Sequence, residues 1–364
     1  MGMHMHIIII IMERDCIRRF LLFEFDGRII TPIPVFVNRS YKAYLTRRRP
    51  QRIMTTQNIL KRQEIEPSPM DTLFTPITTA DIPRLNAAFQ TKASRLCNDS
   101  AGAAVLWQSY FQDAAAEIDG ALVLREILPG VGTVYSLPIG GDCCAVVGKL
   151  QTLAKEKGEP FRLFPVLPEE VKALRAAFPD LKAELQRDWC DYLYDAQTMV
   201  TFAGKKLHGQ KNHVNRFRRL YPDWSFEEIT AENLPEIQAY FEEHAELNRK
   251  EAETAIFEEH SVREFLKQYW EYAPLGGVLR AQDKIVGFSA GEVVGDTLII
   301  HVEKADTSFS GAYQMLVNEY AKHFVTEGVK YINREEDTGD EGIRQSKESY
   351  HPLMLLEKYV VTIE

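Results

Sequence analysis

The spacing of apolar and polar positions changes character near residue 70. Before that point apolar residues cluster without a period. An isoleucine run from Ile7 to Ile11 is followed at once by Glu13 and Asp15, and Arg47-Arg48-Arg49-Pro50 interrupts the stretch that comes next. From Met70 onward the spacing settles into the periods of strands and amphipathic helices. The stretch 73–77 reads as a strand, and Thr79-Ala80-Asp81 opens a helix that runs into Phe89. Runs at 122–126 and 133–137 read as strands, 144–155 and 168–177 have helical spacing, and the aromatic-rich segment 189–194 bridges to the second half. There, a strand at 225–229 leads into a helix from 230 to 245 that Thr230 and Asn233 can cap, and a second helix covers 262–272. Strands at 277–281, 285–293 and 297–302 follow as a meander with turns at 282–284 and 295–296. A helix at 311–326, a strand at 329–333, a helix at 341–350 and a strand at 353–361 complete the pattern. This order predicts an α/β protein with mixed sheets, built as an extension over 1–69 and two lobes, 70–200 and 201–364.

The 364 residues, 45% of them apolar, suffice for about two domains with real cores. The net charge of −9 is unevenly placed. Residues 1–69 carry 12 Lys/Arg against 6 Asp/Glu, whereas residues 70–364 carry 31 against 46, a net of −15. A basic, apolar start can be a targeting signal, but no small-residue cleavage site closes the isoleucine run. We therefore expect a poorly ordered, dispensable extension, with the functional protein starting at or near Met70. His4 and His6, spaced like ligands on an extended chain, fall in that extension. No apolar run reaches the roughly 18–20 residues needed to span a bilayer. The five cysteines, Cys16, Cys97, Cys143, Cys144 and Cys190, form no C-x-x-C pair, and adjacent cysteines are poorly placed for a disulfide. A reducing cytoplasm and no cysteine-built metal site are expected. Zinc-peptidase, Walker and serine-hydrolase motifs are missing from the sequence, so those chemistries have no support.

Two segments carry candidate chemistry. In 331–352 a strand ends in Asn333, Glu335 and Glu336, an acidic loop follows, Asp340 can cap a helix starting at Glu341, and Pro352 stops it. Polar groups at a strand's end suit catalysis because the strand holds them rigidly. In 204–222 six cations, Lys205, Lys206, Lys211, Arg216, Arg218 and Arg219, surround an apolar stripe of Leu207, Val214, Phe217 and Leu220. A basic helix beside Trp189, Tyr192 and Tyr194 suits RNA phosphates or anionic lipid headgroups. A merely solvated face is the competing reading of both segments.

Taken together, G-K-K-L-H-x-x-x-N-H-V-N-R-F (204–217) and N-R-E-E-D-x-G-x-E-G-I-R-x-S-K-x-S-Y-H-P (333–352) resemble the signatures of a bacterial family. It comprises proteins related to the C-terminal domain of phosphatidylglycerol lysyltransferase (DUF2156), and the resemblance runs from about residue 90 to the end. It implies two GNAT-like acyltransferase lobes in tandem, related to enzymes that move an aminoacyl group from aminoacyl-tRNA to a lipid or peptide amine or hydroxyl. The meander followed by two crossovers in the second half is the order of the GNAT fold. The resemblance also implies that Arg344 and Lys347 lie on a helix lining the acceptor end of a cleft, faced by Asn333, Glu335 and Glu336.

Transfer to an amine requires removal of a proton and stabilisation of an oxyanion. Glu335 or Glu336 is the candidate base, Lys347, Arg344 and Asn333 would orient donor or acceptor, and Tyr350 would donate to the leaving group. Lys205, Lys206, Lys211, Asn212, Asn215 and Arg216 of the basic helix 205–219 would hold tRNA or a lipid headgroup. A CoA-binding turn would need free backbone N–H groups at a helix start. The corresponding stretch, 305–313, has one glycine, with Asp306 to repel a diphosphate and Phe309 and Tyr313 to crowd it. No cofactor is firmly implied, and an aminoacyl-tRNA donor ranks above an acyl-CoA. A CoA-dependent N-acetyltransferase and a non-catalytic binding module on the same fold stay open as alternatives, as does peripheral contact with a membrane. Oligomeric state is not legible.

Overall fold

The structure is a computed structural model that describes residues 20–25, 28–34, 73–92, 94–247 and 253–364. Most of the 1–69 extension, with His4, His6, the triple arginine and the Met70 start, lies outside the described residues. Within it, strands β1 (Phe20–Phe25) and β2 (Arg28–Pro34) pair as an antiparallel hairpin, and residues 1–55 form a unit of their own.

The second unit begins with β3 (Thr75–Pro76), α1 (Ile82–Phe89), α2 (Ala101–Leu106) and α3 (Gln108–Phe111). The meander β4 (Ala114–Ile118), β5 (Ala121–Leu128) and β6 (Gly132–Tyr135) follows, then α4 (Cys143–Lys157), β7 (Phe161–Val166), α5 (Pro168–Ala177) and β8 (Lys182–Leu185). The next segment is β9 (Asp191–Asp195), α6 (Ala196–Thr201), α7 (His208–Leu220), β10 (Ser225–Glu228), α8 (Leu234–Leu247), α9 (Glu253–Lys267) and α10 (Tyr269–Tyr272). The chain ends in β11 (Leu275–Ala281), β12 (Lys284–Val294), β13 (Thr297–Ala305), α11 (Ala312–Phe324), β14 (Tyr331–Asn333), α12 (Glu341–Glu348), β15 (Met354–Leu356) and β16 (Tyr359–Ile363).

The same construction occurs twice. In one sheet the antiparallel meander β4-β5-β6 crosses over through α4 to the parallel strand β7; in the other, β11-β12-β13 crosses over through α11 to the parallel strand β14. The protein is thus an α/β tandem of two GNAT-like lobes, as expected. Two-residue turns set the hairpin registers. Asp119-Gly120 and Gln282-Asp283 hold positive φ at both central positions, which matches the right-handed twist of the flanking strands.

The sheets do not part at residue 200. Their orders are β3-β4-β5-β6-β7-β16-β8 and β10-β11-β12-β13-β14-β9-β15, so β9 is inserted into the second sheet and the last strand returns to the first. The single strand expected over 353–361 is two strands in different sheets, separated at Glu357 and Lys358. Burial explains the return: Val360, Val361 and Ile363 are buried, as befits a strand flanked on both sides. The second sheet packs Leu298, Ile300 and Ile332 against Met315, Leu316 and Tyr320 of α11 and against Val214 and Phe217 of α7. Among the described residues, no helix is long and apolar enough to cross a membrane.

Candidate active site

The second sheet opens where its chemistry sits. Parallel pairing of β13 with β14 runs only from Thr297↔Tyr331 to Ile299↔Asn333, after which β13 continues with β12 and the other chain turns away. A register shift between Ala290 and Gly291 of β12 leaves His301 as the extra residue on β13. The opening is filled by two charge pairs. Glu335, in a left-handed turn at φ 57°, accepts from His301 Nδ1 at 2.8 Å, and His301 Nε2 reaches Glu292 Oε1 at 3.1 Å. Ser100 Oγ and the Gly102 amide also donate to that Glu292 oxygen, at 2.5 and 2.8 Å. Burial opposes charge on His301, yet hydrogen bonds and attraction from the two glutamates win and raise its pKa to about 10. The ring is therefore an imidazolium, and Glu335 is its counter-ion. Next to it, Arg334 Nε and Nη2 both donate to Glu303 Oε2, at 2.9 and 2.7 Å, while the guanidinium covers the Tyr350 ring at 4.6 Å.

Glu336 occupies different surroundings. Lys358 places its ammonium 2.6 Å from Asp191 Oδ1, 3.3 Å from Cys97 Sγ and 3.7 Å from Glu336 Oε2. Cys97, Asp191 and Glu336 offer ligand atoms within 4.8 Å of one another, but the ammonium is the cation of this cluster. Burial pushes the Glu336 carboxyl up to about 7 against the pull of Lys358, with Asp191 and Glu335 adding repulsion. Of the two candidate bases, Glu336 is thus the one poised to exchange a proton near neutrality.

The remaining residues of 333–350 largely hold this turn. Asn333 Nδ2 donates to the Arg95 carbonyl at 2.7 Å and to Asp191 at 2.9 Å, and its Oδ1 accepts from the Glu335 amide at 2.7 Å. Lys347 Nζ donates to the carbonyl oxygens of Arg334, at 2.5 Å, and of Glu336. Burial lowers its pKa, with Glu336 opposing. Arg344 forms a fork on Asp337 and reaches Asp188; Tyr192 donates to the same Asp337 at 2.6 Å. Arg344 therefore locks α12 to the loop before it, as a bidentate guanidinium–carboxylate pair does.

The two sequence signatures meet in an open groove of about 500 Å³. Lys205, Lys206 and Leu207 line it together with Glu348, Tyr350, His351, Leu353 and Tyr194. Tyr350 is nearly fully buried, its ring held between Arg334 and Phe202. Lys205, Lys206, Lys211, Asn212, Asn215 and Arg216 are all exposed; the first two precede α7 and the others lie on its outer face. Two details depart from the expected helix. Leu220 is 45% exposed and leaves the apolar stripe, and Arg218 turns inward to Glu319 at 2.6 Å. α7 also closes the turn before α11: a Cβ at Gly311, where φ is 89°, would lie 2.6 Å from the His213 carbonyl oxygen.

Cys97, Asp191, Lys358, His301, Glu292 and Ser100 are absent from the sequence-based candidates. A signal existed for two of them, since Lys358 and His301 are polar residues inside apolar strand-like runs.

Residues 89–362 match the family described as phosphatidylglycerol lysyltransferase, C-terminal. A conserved protein of unknown function from Bacteroides thetaiotaomicron is 34% identical in an alignment covering 80% of this chain and 99% of that one, and its crystal structure superposes with a TM-score of 0.75. The C-terminal domain (DUF2156) of an Agrobacterium fabrum protein described as a lysylphosphatidylglycerol synthetase is 16% identical, covers 78% of this chain and 92% of that one, and gives 0.56. L-PGS from Bacillus licheniformis is 18% identical over 83% of this chain and 94% of that one and gives 0.52. At these identities the last two show a shared fold. An uncharacterised protein of Mycoplasmoides gallisepticum is 26% identical over 176 residues, 48% of this chain, and the match spans 56% of that relative's length.

Proposed function

Since the chain belongs to the phosphatidylglycerol lysyltransferase C-terminal family, we propose that it transfers an acyl or aminoacyl group, with Glu336 as base and aminoacyl-tRNA as donor. The observation that carries this reading is the buried Glu336 carboxyl, raised to about 7 on a turn that Asn333 and Lys347 hold rigid. The acceptor amine or hydroxyl attacks the donor's ester carbonyl while Glu336 takes its proton. Collapse of the tetrahedral oxyanion breaks the ester C–O bond, and the departing ribose oxygen receives the proton from Glu336. The polyanionic donor is held by Lys205 and Lys206 in the groove and by Lys211, Asn212, Asn215 and Arg216 on the exposed face of α7.

Packing at the start of α11 speaks against acyl-CoA. Binding a diphosphate requires free N–H groups and open space at a helix N-terminus. Here the His213 carbonyl oxygen lies against Gly311, and Asp306 already accepts from the Ser308 amide at 2.8 Å. An acceptor oxygen and a carboxylate occupy the place where an anion would have to sit.

The test is transfer of a labelled aminoacyl group from tRNA to bacterial lipid and peptide amine fractions. Glu336→Gln should lower kcat by about 10²–10⁴-fold with donor affinity retained, and the Lys205→Ala/Lys206→Ala double variant should raise the donor KM and flatten its salt dependence. Full activity in Glu336→Gln would remove the assigned base. Turnover of acetyl-CoA with no tRNA binding would replace the donor, and tight donor binding without any transfer would make the protein a binding module.

A further inference from the structure

A small cavity lies between α2 and the first sheet, and the transfer reading leaves most of its wall unused. Asp99, Asp113, Glu126 and Glu336 line it together with Lys92 and Lys358, and Trp107, Phe111, Phe164 and Trp189 supply aromatic surface. Its volume of about 50 Å³ has room for roughly three or four water-sized groups. Among the described residues, three buried polar atoms on this wall have no hydrogen-bond partner: Asp99 Oδ2, Glu126 Oε1 and Trp107 Nε1. Asp99 is only 5% exposed. Unsatisfied polar atoms at such depth are unfavourable unless something fills the space and bonds to them.

The charges around the cavity do not balance. Lys92 is paired with Asp99 at 2.7 Å, and Lys358 with Asp191 at 2.6 Å. Lys358 is also the cation nearest Glu336, at 3.7 Å, and it attracts Glu126, while the Asp113 and Glu126 carboxyls hydrogen-bond to one another. All three carboxyls are pushed up by burial first; Glu126 adds repulsion on Asp113, Glu336 adds repulsion on Glu126, and Glu126 and Glu336 reach about 7. Cys97, beside Lys358, is held as a neutral thiol by burial and by the Asp191 and Glu336 charges. As Glu126 and Glu336 ionise above neutral pH, the carboxylates around the cavity outnumber its two ammonium groups, and two of its three unbonded atoms are carboxyl oxygens that can accept from a donor.

We propose that this cavity is a binding site for a primary ammonium group, which donates to Asp99, Glu126 and Asp113 and packs against the rings of Trp107 and Trp189. An ammonium brings three N–H donors and one positive charge, and aromatic faces attract cations as well as excluding water. A few trapped water molecules would satisfy hydrogen bonds but supply no charge. The cavity shares Glu336 with the proposed transfer site, but its occupancy by a small amine is measured without any donor substrate, so the two readings fail separately.

Titration of the full chain with methylammonium chloride, followed by calorimetry and thermal melting, tests the site. Methanol and potassium chloride serve as neutral and ionic controls. Saturable binding is expected, tighter at pH 8 than at pH 6 because the acids must release protons, with a heat that varies with the buffer's ionisation enthalpy. Glu126→Gln should weaken it at least tenfold; if that variant does not fold, Asp99→Asn is measured for the same tenfold loss. Competition by glycinamide would identify the α-amine of an aminoacyl group as the source, and binding of methylammonium alone a free small amine; either outcome upholds the site. No saturable binding, an equal effect of methanol or potassium chloride, or unchanged affinity in the folded variant would overturn it and leave the cavity to water.

Discussion

Lys358→Met is the sharpest test of how the two lobes are held. The ammonium is 2.6 Å from Asp191 Oδ1, with the two side chains 1% and 0% exposed, and it reaches Cys97 and Glu336 as well. Methionine keeps most of the volume and removes the charge. Asp191 would retain the Cys97 amide at 2.8 Å and the Asn333 amide at 2.9 Å but lose its only close cation among the described residues. Breaking a buried pair from one side costs about 3–5 kcal/mol, because the stranded charge cannot be rehydrated. For a domain of this size that is a Tm lower by about 6–20 °C. The pH dependence has a definite sign. In the wild type burial raises the Asp191 pKa, but Lys358 and the hydrogen bonds outweigh it and leave the folded value below the unfolded one. That stability is present above the unfolded pKa and lost as pH falls through the folded value. In the variant burial dominates, the folded pKa rises above the unfolded one, and the deficit is largest at neutral pH and narrows toward pH 4. Urea unfolding of both proteins at pH 7, 5.5 and 4 measures this, and Lys358→Met/Asp191→Asn should recover part of the loss. A deficit under about 1 kcal/mol, or one that grows on acidification, would refute the account of the cluster.

Three further outcomes follow from the packing. Gly311→Ala combines a φ of 89° with a Cβ 2.6 Å from the His213 carbonyl, so a loss of about 1–3 kcal/mol is expected, read as a lower Tm; an unchanged Tm would mean that α7 does not press on that turn. His301, raised to about 10, contributes stability that is complete below its unfolded pKa near 6.5 and is lost as pH rises through 10. His301→Gln should therefore flatten the decline in Tm between pH 7 and 10, and an identical slope in the two proteins would contradict the imidazolium. A fragment of residues 70–200 lacks β16 and leaves β7 and β8 without their shared partner; it should show no cooperative melt by circular dichroism, and a peptide of residues 353–364 added in trans should restore one.

The sequence conveys where the chain turns and which face of each element is apolar, and those local signals place most elements of the second lobe, though not the division of 353–361 between two sheets. Its hairpin turns at 282–283 and 295–296 and its crossover helix carry local punctuation. The first lobe is less legible because β4 is Ala-Ala-Ala-Glu-Ile, a run of low strand propensity that becomes a strand through its pairing with β5. Partners across the sheets are a different matter. Asn333 bonds the carbonyl of Arg95, Glu292 collects Ser100 and Gly102, and Lys358 reaches Cys97. Each pair is separated by roughly half the chain or more, where no spacing rule applies.

That distance also recasts the signature at 333–352. Read locally, its charges look like a catalytic roster. In the fold, Asn333, Arg344 and Lys347 shape the turn, while Arg334 and Glu335 neutralise Glu303 and His301 across the open part of the second sheet. Glu336 is the carboxyl of that turn left poised near neutrality, and it is held there by Lys358 from the very segment that carries the chain back to the first sheet. The exchange of β9 and β16 between the sheets therefore has a chemical consequence beyond topology. The cluster that tunes Glu336 exists only when both crossings are made, so a protein with one lobe unfolded has no base of the right pKa.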